Sequence, residues 1–209
     1  MARAHRNWGN KTQLRLVNLG GSKIKIRESD LPEEEEWTRF FDPAKTLKLL
    51  GVSENVFDAA DFGCGYGTFT IPAAKMIKGK IYAIDIEPEM IEVVKNKARK
   101  NNLSNVVPML RDFMSAGSGL MASSVDFVML FNILHAEKPV NLLKETFRIL
   151  RVGGKVGIIH WIYDEPISGL PLDIKPRPED CKRWGKSVGF SFEQEFNLKP
   201  YHFGIVMKK

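Results

Sequence analysis

The sequence predicts an α/β fold, with a doubly wound seven-stranded sheet that is mostly parallel and has a C-terminal antiparallel strand. Three observations support it. Five short apolar runs between residues 56 and 162 alternate with helical patterns. The first of these runs leads into a loop with glycine at every second position. The last two strand-like runs are separated only by Lys199 and Pro200, which is too short for a crossover helix, so they are antiparallel.

Residues 1–36 are predicted to form an arm that is first basic and then acidic, ahead of a domain over residues 37–209. The arm has seven basic residues and no acid up to Arg27, and then six acids between Glu28 and Glu36. Residues 28–209 carry 24 basic and 25 acidic groups, so the net charge of +6 comes from the basic part of the arm, residues 1–27. A solvated tail, or contact with nucleic acid or another acidic partner, suits such a segment.

Alternating residues on both sides of Gly20 and Gly21 predict a short β-hairpin within the arm. We expect its apolar residues on one face (Leu14, Leu16, Ile24 and Ile26) and its basic residues on the other (Arg15, Lys23, Lys25 and Arg27).

The first half of the domain starts with a helical pattern from Trp37 to Gly51. The strand-like run VFDAADF precedes the glycine loop, and a helix follows it up to Gly79. KIYAID is the second strand, and Pro88 begins the helix EMIEVVKNKARKNN. NVVPML is the third strand. The fourth, SVDFVMLFN, is almost uniformly apolar, as expected for a central strand covered on both faces.

In the second half, Pro139 begins a helix that ends at Gly153 and Gly154, and KVGIIHWI is the fifth strand. Residues 163–178 contain four prolines and predict a long loop. The short helix EDCKRWGKSVGF follows, and the strand-like runs FSFEQEFNL and YHFGIVMKK end the chain. The alternation of strands and helices predicts right-handed crossovers between parallel strands.

Composition excludes several classes. Cys64 and Cys181 form neither a disulfide framework nor a zinc site, and we expect no metal. No apolar run approaches the roughly 20 residues that cross a bilayer, and the N-terminus lacks the apolar segment of a signal peptide. We therefore expect a cytoplasmic protein without a membrane partner. The oligomeric state is not predicted.

Three kinds of ligand are candidates for the loop DFGCGYGTF: a mononucleotide, a dinucleotide and a ligand without a phosphate. A mononucleotide P-loop needs a lysine, which is missing here. A dinucleotide loop needs its third glycine at Thr68, whereas that glycine comes one residue earlier. The pattern is therefore Asp-x-Gly-x-Gly-x-Gly, formed by Asp61, Gly63, Gly65 and Gly67. The glycines have no side chains, so a ligand can approach the backbone of the loop closely. The loop has no lysine that could bind a phosphate.

This pattern resembles motif I of the class I S-adenosylmethionine (SAM)-dependent methyltransferases, which have a Rossmann-like fold. The similarity continues through IYAID, RDF, FNILHAEKP and RVGGKVGIIHW. The closing YHFGIVMKK is similar to the last strand of small methyltransferases of the group that includes the ubiquinone/menaquinone-biosynthesis and arsenite enzymes. The resemblance covers residues 40–209. It implies a small single-domain methyltransferase of type 11 or 25, with SAM as its cofactor.

SAM offers a ribose diol, an adenine amino group, a methionine zwitterion and a sulfonium, but no phosphate. Asp85 lies 22 residues after Gly63, where its carboxylate is expected to accept hydrogen bonds from both ribose hydroxyls. A role for Asp85 in capping the next helix stays open, and Glu87 is an alternative residue for binding the ribose. Asp112 is placed to accept from the adenine amino group, or is a turn residue. We expect the cofactor to contact Asp61, Gly63, Cys64, Gly65, Gly67, Asp85, Ile86, Met90, Asp112, Phe113, Phe131 and Asn132.

In-line methyl transfer needs a general base only when the acceptor loses a proton. The candidates follow the fourth and fifth strands: Asn132, His135, Glu137, His160, Tyr163 and Asp164. We expect His135 and Asn132 to be catalytic, because the ordinary pKa of histidine is near neutrality. A purely structural histidine is the alternative at position 135.

Several acceptors are excluded by missing motifs. The place where nucleobase-amine methyltransferases have Asn/Asp-Pro-Pro-Tyr/Phe reads FNIL, without prolines. Cytosine C5 methylation needs a cysteine after proline, and arsenite methylation needs several cysteines. A small molecule, a protein side chain or another RNA site remains. The alternatives to an enzyme of this kind are a SAM-binding or nucleic-acid-associated module without catalysis and, as a weaker candidate, an NAD-linked oxidoreductase.

Overall fold

The computed structural model describes residues 14–19, 22–27, 42–163, 174–198 and 200–209. Two strands lie in the predicted arm, β1 (Leu14–Leu19) and β2 (Ser22–Arg27). Seven more follow: β3 (Ala59–Phe62), β4 (Ile81–Asp85), β5 (Val106–Leu110), β6 (Val125–Phe131), β7 (Leu150–Trp161), β8 (Ser191–Leu198) and β9 (His202–Lys208). The helices are α1 (Pro43–Leu49), α2 (Thr70–Ala74), α3 (Pro88–Lys100), α4 (Phe113–Ala116), α5 (Pro139–Ile149) and α6 (Pro178–Val188).

The predicted hairpin forms, because β1 and β2 pair as antiparallel strands. Its predicted separation into an apolar and a basic face is wrong. Two residues connect the strands, so the register pairs Leu14 with Arg27 and Leu16 with Lys25. Because residues paired across an antiparallel ladder share a face, apolar and basic positions are mixed on both faces.

Strands β3 to β9 form one sheet in the order β5-β4-β3-β6-β7-β9-β8. The ladders from β5 to β7 are parallel, whereas β9 is antiparallel to both β7 and β8. The predicted fold class is therefore confirmed. The strand order reverses between β3 and β6, and in open α/β sheets a crevice opens at the carboxyl ends of such a pair.

Helices cover the sheet on both faces, which explains the apolar composition of its central strand. On one face, Phe127 and Met129 of β6 pack in a cluster with residues of α1 and α2. On the other face, Val128 and Leu130 pack with residues of α5 and α6. The alternate residues of β6 thus have a hydrophobic environment on either side, and five of its seven residues are apolar and almost fully buried.

The longest of these helices, α3, has 13 residues. Within the described parts of the chain, no helix is long and apolar enough to cross a membrane.

Candidate cofactor and catalytic site

The glycine-rich loop connects β3 to α2 at the crevice edge of the sheet. Its three glycines have left-handed backbones, with φ of 71° at Gly63, 49° at Gly65 and 76° at Gly67. A Cβ atom at Gly63 would lie 3.2 Å from Cδ1 of Ile133, and one at Gly67 would lie 3.1 Å from Cγ2 of Val94. A Cβ atom at Gly65 would meet no atom within 4 Å. The outer glycines thus permit close packing, and the middle one faces open space where a ligand has room.

Asp85 ends β4 and joins that strand to the loop. Its Oδ2 accepts a hydrogen bond from the backbone N–H of Gly65 at 2.8 Å, and its Oδ1 accepts one from Glu87 at 3.0 Å. Glu87, and not Asp85, is the N-cap residue of α3. Burial raises the pKa of Asp85, against the lowering effect of these N–H donors. Each carboxylate oxygen has a second lone pair, so the group keeps acceptor capacity for a ligand hydroxyl.

Asp61 lies beneath the same loop and is only 3% exposed. Its Oδ2 accepts a hydrogen bond from Oγ1 of Thr70 in α2 at 2.6 Å. Burial raises the pKa of Asp61 to about 7, with the Thr70 hydrogen bond acting against the shift and the charge of Asp85 adding to it. The Asp61 carboxyl therefore titrates much closer to neutral pH than an ordinary carboxyl group does, and a nearby cation would favour its ionised form.

The other predicted cofactor residues differ in their surroundings. Ile86 and Met90 are half-buried just after β4. Cys64 is buried, and burial raises the pKa of its thiol far above the ordinary range, so this thiol is protonated and unreactive. Phe131 is buried with its ring edge-to-face against Phe69, at 4.7 Å between centroids.

Asp112 and Phe113 have structural roles that the sequence prediction did not assign to them. Asp112 is the N-cap of α4: its Oδ1 accepts from the N–H groups of Met114 and Ser115, and its Oδ2 accepts from the Ser115 hydroxyl at 2.7 Å. Phe113 is buried against Phe62, edge-to-face at 5.0 Å. Their contact with adenine stays a prediction.

Asn132 follows β6 directly at the reversal point of the sheet. Its backbone is left-handed, with φ of 52°, and its N–H donates to the carbonyl of Ile159 at 2.8 Å. Its Oδ1 atom is buried and has no hydrogen-bond partner among the described residues. An orphaned buried acceptor costs about 1–3 kcal/mol, so this atom is suited to receive a donor from a ligand.

Three histidines lie together along the same rim. His135 Nδ1 in the loop after β6 is 3.4 Å from Nε2 of His160 in β7. Burial lowers the pKa of His160 well below its ordinary value and that of His202, at the start of β9, to about 3. Both rings are therefore neutral, and His135 is the half-buried member of the group.

The other predicted catalytic candidates have less contact with the histidine group, or are not described. Glu137 is exposed, and the ring of Tyr163 lies under the guanidinium of Arg177 at 4.1 Å. Asp164 lies outside the described residues, as do the first five residues of the helix predicted from Trp37. Within the described ranges, no group of three or more His, Cys, Asp or Glu residues is arranged to hold a metal.

The sequence did not indicate two residues that support the loop. Lys97 reaches from α3 to donate to the carbonyl of Tyr66 at 2.7 Å, and Thr70 holds Asp61. A lysine near the C-terminal end of an amphipathic helix looks like a solvated residue, so its spacing carries no signal of this contact. His202 was missed for a similar reason, since it lies at the far end of the chain from the loop.

Comparison with known proteins agrees with this geometry. The model of a family described as "Methyltransferase domain" matches residues 59–154. A crystal structure of a SAM-dependent methyltransferase from Aquifex aeolicus is 26% identical, with a TM-score of 0.75, over 84% of this chain and 93% of that one.

Two curated relatives are named for different methyl acceptors. A demethylmenaquinone methyltransferase of Lactobacillus johnsonii is 30% identical over 118 residues, 55% of this chain and 48% of the relative. A 23S rRNA (uracil(1939)-C(5))-methyltransferase of Alcanivorax borkumensis is 32% identical over 106 residues, 49% of this chain and 23% of the relative. The chain thus spans about half of the length of the first relative. Residues 59–154 thus match the family described as "Methyltransferase domain", and the strand order and the likeness to the SAM-dependent methyltransferase from Aquifex aeolicus agree with the resemblance that the motifs predicted.

Proposed function

We propose that this chain transfers a methyl group from SAM, in line, to an acceptor that binds at the rim formed by the ends of β6 and β7. The observation that carries the proposal is the meeting of three features at one crevice. These are an open left-handed loop at Gly65, the buried Asp85 carboxylate at its backbone, and the orphaned Oδ1 of Asn132.

These residues suit SAM better than a phosphate ligand. The two buried carboxylates, Asp61 and Asp85, make the loop unfavourable for an anion and favourable for a cation. Asp85 retains acceptor lone pairs for the two ribose hydroxyls, as the motif implies. Asn132 Oδ1 provides an acceptor for the ammonium group of the methionine portion, or for a donor on the methyl acceptor.

SAM supplies an electrophilic methyl group on a sulfonium, and the bonding electron pair stays on the sulfur. The protein holds the acceptor in line and excludes water, which lowers the entropic cost of the reaction. An acceptor with a hydroxyl, amine or acidic carbon–hydrogen bond must also lose a proton. We assign this proton to the ring of His135, which lies in the same loop after β6 as Asn132.

The acceptor belongs to one of three classes, a small molecule, a protein side chain or an RNA site. The relatives differ on this point, since one is named for demethylmenaquinone and another for a uracil of 23S rRNA. The basic part of the arm, residues 1–27, favours an anionic macromolecule, whereas the nearly neutral remainder of the chain favours a small molecule.

Incubation with a cell extract and SAM labelled on its methyl group tests the proposal directly. We expect label in one fraction among small molecules, protein and RNA, and at least a ten-fold lower rate for Asp85→Ala. Asp180→Asn, which changes a carboxylate on α6, is the matched control and keeps the wild-type rate. Label in no fraction, with SAM still bound, would support instead a SAM-binding module without catalysis.

A further inference from the structure

Helix α3 contacts the second half of the glycine-rich loop at two neighbouring points. Nζ of Lys97 donates a hydrogen bond to the carbonyl oxygen of Tyr66 at 2.7 Å. Val94, three residues earlier in the helix, has its Cγ2 atom 3.1 Å from the position that a Cβ atom at Gly67 would take. Because residues three apart lie on the same side of a helix, one side of α3 contacts both Tyr66 and Gly67.

The first half of the loop is held by a different element, strand β4. The N–H groups of Gly63 and Cys64 donate to the carbonyl of Ile84 at 2.8 and 3.1 Å. The next N–H group, of Gly65, donates to Oδ2 of Asp85 at 2.8 Å. The loop is thus joined to β4 on one side and to α3 on the other, and the bond from Lys97 belongs to the second of these attachments.

The hydrogen bond from Lys97 is stronger than an ordinary contact of a surface lysine. Its ammonium donor carries a full charge, and charge-assisted hydrogen bonds are about twice as strong as neutral ones. Lys97 is also half-buried, so water competes less for the ammonium group. The bond is therefore suited to fix the position of the Tyr66 carbonyl.

The backbone around Tyr66 has little stiffness of its own. Gly65 and Gly67, on either side of it, both have left-handed conformations, and glycine also adopts many other conformations without strain. A loop without an attachment here would lose this freedom when a ligand binds, which has an entropic cost. An attached loop is already ordered, so its ligand binds without that cost. Loss of the Lys97 bond should therefore weaken cofactor binding, and this effect needs no contact between Lys97 and the cofactor.

We propose that Lys97 is a positioning residue for the cofactor: its hydrogen bond to the Tyr66 carbonyl keeps the glycine-rich loop in the shape that binds SAM. This inference rests on the proposed function, in which SAM is the ligand of the loop. The charge of Lys97 acts in the opposite direction, because SAM has a net positive charge and is repelled by a nearby ammonium group. A purely electrostatic role would make SAM bind more tightly when Lys97 is replaced, whereas a positioning role makes it bind more weakly.

Calorimetric titration of the full chain with SAM distinguishes the two roles. We expect Lys97→Met, which keeps an apolar stem but removes the ammonium group, to weaken SAM binding by about five-fold or more. Lys97→Arg, whose guanidinium is able to donate to the same carbonyl, should regain most of the affinity. Lys100→Met is the matched control, because Lys100 is exposed in the last turn of the same helix and its loss should leave the affinity unchanged. Chemical denaturation without SAM checks that the three variants fold.

Nuclear magnetic resonance tests the hydrogen bond itself, with or without SAM. Tyr66 and Gly67 form the only Tyr-Gly pair in the sequence, so tyrosine labelled with 13C at its carbonyl and glycine labelled with 15N select a single carbonyl signal. A carbonyl carbon resonates further downfield when its oxygen accepts a hydrogen bond, so we expect the Tyr66 signal to move upfield in Lys97→Met. The signal should keep its wild-type position in Lys100→Met and return toward it in Lys97→Arg.

Kinetics in the labelled-methyl assay separate cofactor positioning from catalysis. We expect Lys97→Met to raise the KM for SAM by about five-fold or more and to leave kcat, measured at saturating SAM, near the wild-type value. General damage to the fold would instead lower kcat as well.

An unchanged Tyr66 carbonyl signal in Lys97→Met, or SAM affinity that is unchanged or higher in that variant, would overturn the inference even if methyl transfer takes place. A wild-type chain that does not bind SAM would contradict the proposed function, and the carbonyl signal would still test the contact from Lys97. The two failures are therefore distinguishable.

Discussion

At the residue scale, the proposed cofactor site consists of a few side chains and of three glycine backbones in the loop after β3. The sequence located Asp61, Asp85 and the glycines at the carboxyl ends of neighbouring strands, because parallel strands end at one edge of a sheet. It did not reveal that Asp112 caps a helix or that His160 faces His135. Those contacts depend on χ angles and on pairs distant in the chain, which have no periodic signal.

Gly65→Ala is expected to weaken SAM binding at least ten-fold, because a Cβ atom there enters the open space over the loop. Gly51→Ala is the matched control, since Gly51 also has a positive φ (94°) and no atom near its Cβ position. Both variants are expected to lose about 1 kcal/mol of unfolding free energy from backbone strain. Calorimetric titration with SAM, next to chemical denaturation, makes the comparison. Equal SAM affinities in the two variants would contradict the proposed cradle.

SAM affinity is expected to rise with pH through about 7, the raised pKa of Asp61. Below that pH the carboxyl is protonated in the free protein, and binding a cation has to release the proton; above it, no proton is released. The same raised pKa means that the free protein loses stability as pH rises from the ordinary value of 3.8 toward 7, and SAM offsets this loss.

Titrations between about pH 6 and pH 8, in two buffers of different ionisation enthalpy, measure this proton release. Asp61→Asn keeps an acceptor for Thr70 and should lose the pH dependence. A dependence that persists in this variant would assign the titration to another group, with Asp85 as the next candidate.

At the element scale, apolar runs predicted every strand of the large sheet, and the ends of elements were the weaker part. Strand β7 begins at Leu150, earlier than predicted, because the ladder to β6 continues through an irregularity between Val125 and Phe127. Helix α2 ends at Ala74, well before Gly79. The hairpin faces were wrong because a two-residue connection pairs odd with even positions, which alternation within each strand does not reveal.

Phe127→Ala should lower the free energy of unfolding by about 3–5 kcal/mol, because Phe127 is 1% exposed in the central strand β6. Its ring also lies where a Cβ atom at Gly157 would be, so the neighbouring strand is shaped around it. Phe57→Ala, at a residue that is 57% exposed, should change stability by less than about 1 kcal/mol. Urea denaturation of both variants measures the difference; similar losses would show that β6 is not the centre of the core.

At the scale of the whole molecule, the order of the strands determines where the crevice opens. The reversal between β3 and β6 brings the glycine loop, Asp85 and Asn132 to one crevice, and the antiparallel β9 adds His202 to its rim. The fold could be predicted from the sequence, because the motifs come in a fixed order along the strands, and the similar proteins agree with the SAM-dependent class that these motifs imply. The acceptor could not be predicted, because the sequence has none of the acceptor motifs considered and the relatives are named for different acceptors.

Isothermal titration of the purified full chain with SAM and, separately, with NADH is the most direct test of the central claim. We predict saturable binding of SAM at one site per chain, a loss of at least ten-fold in affinity for Asp85→Ala, and no binding of NADH. Binding of NADH in preference to SAM, or SAM affinity that is unchanged in Asp85→Ala, would contradict the account.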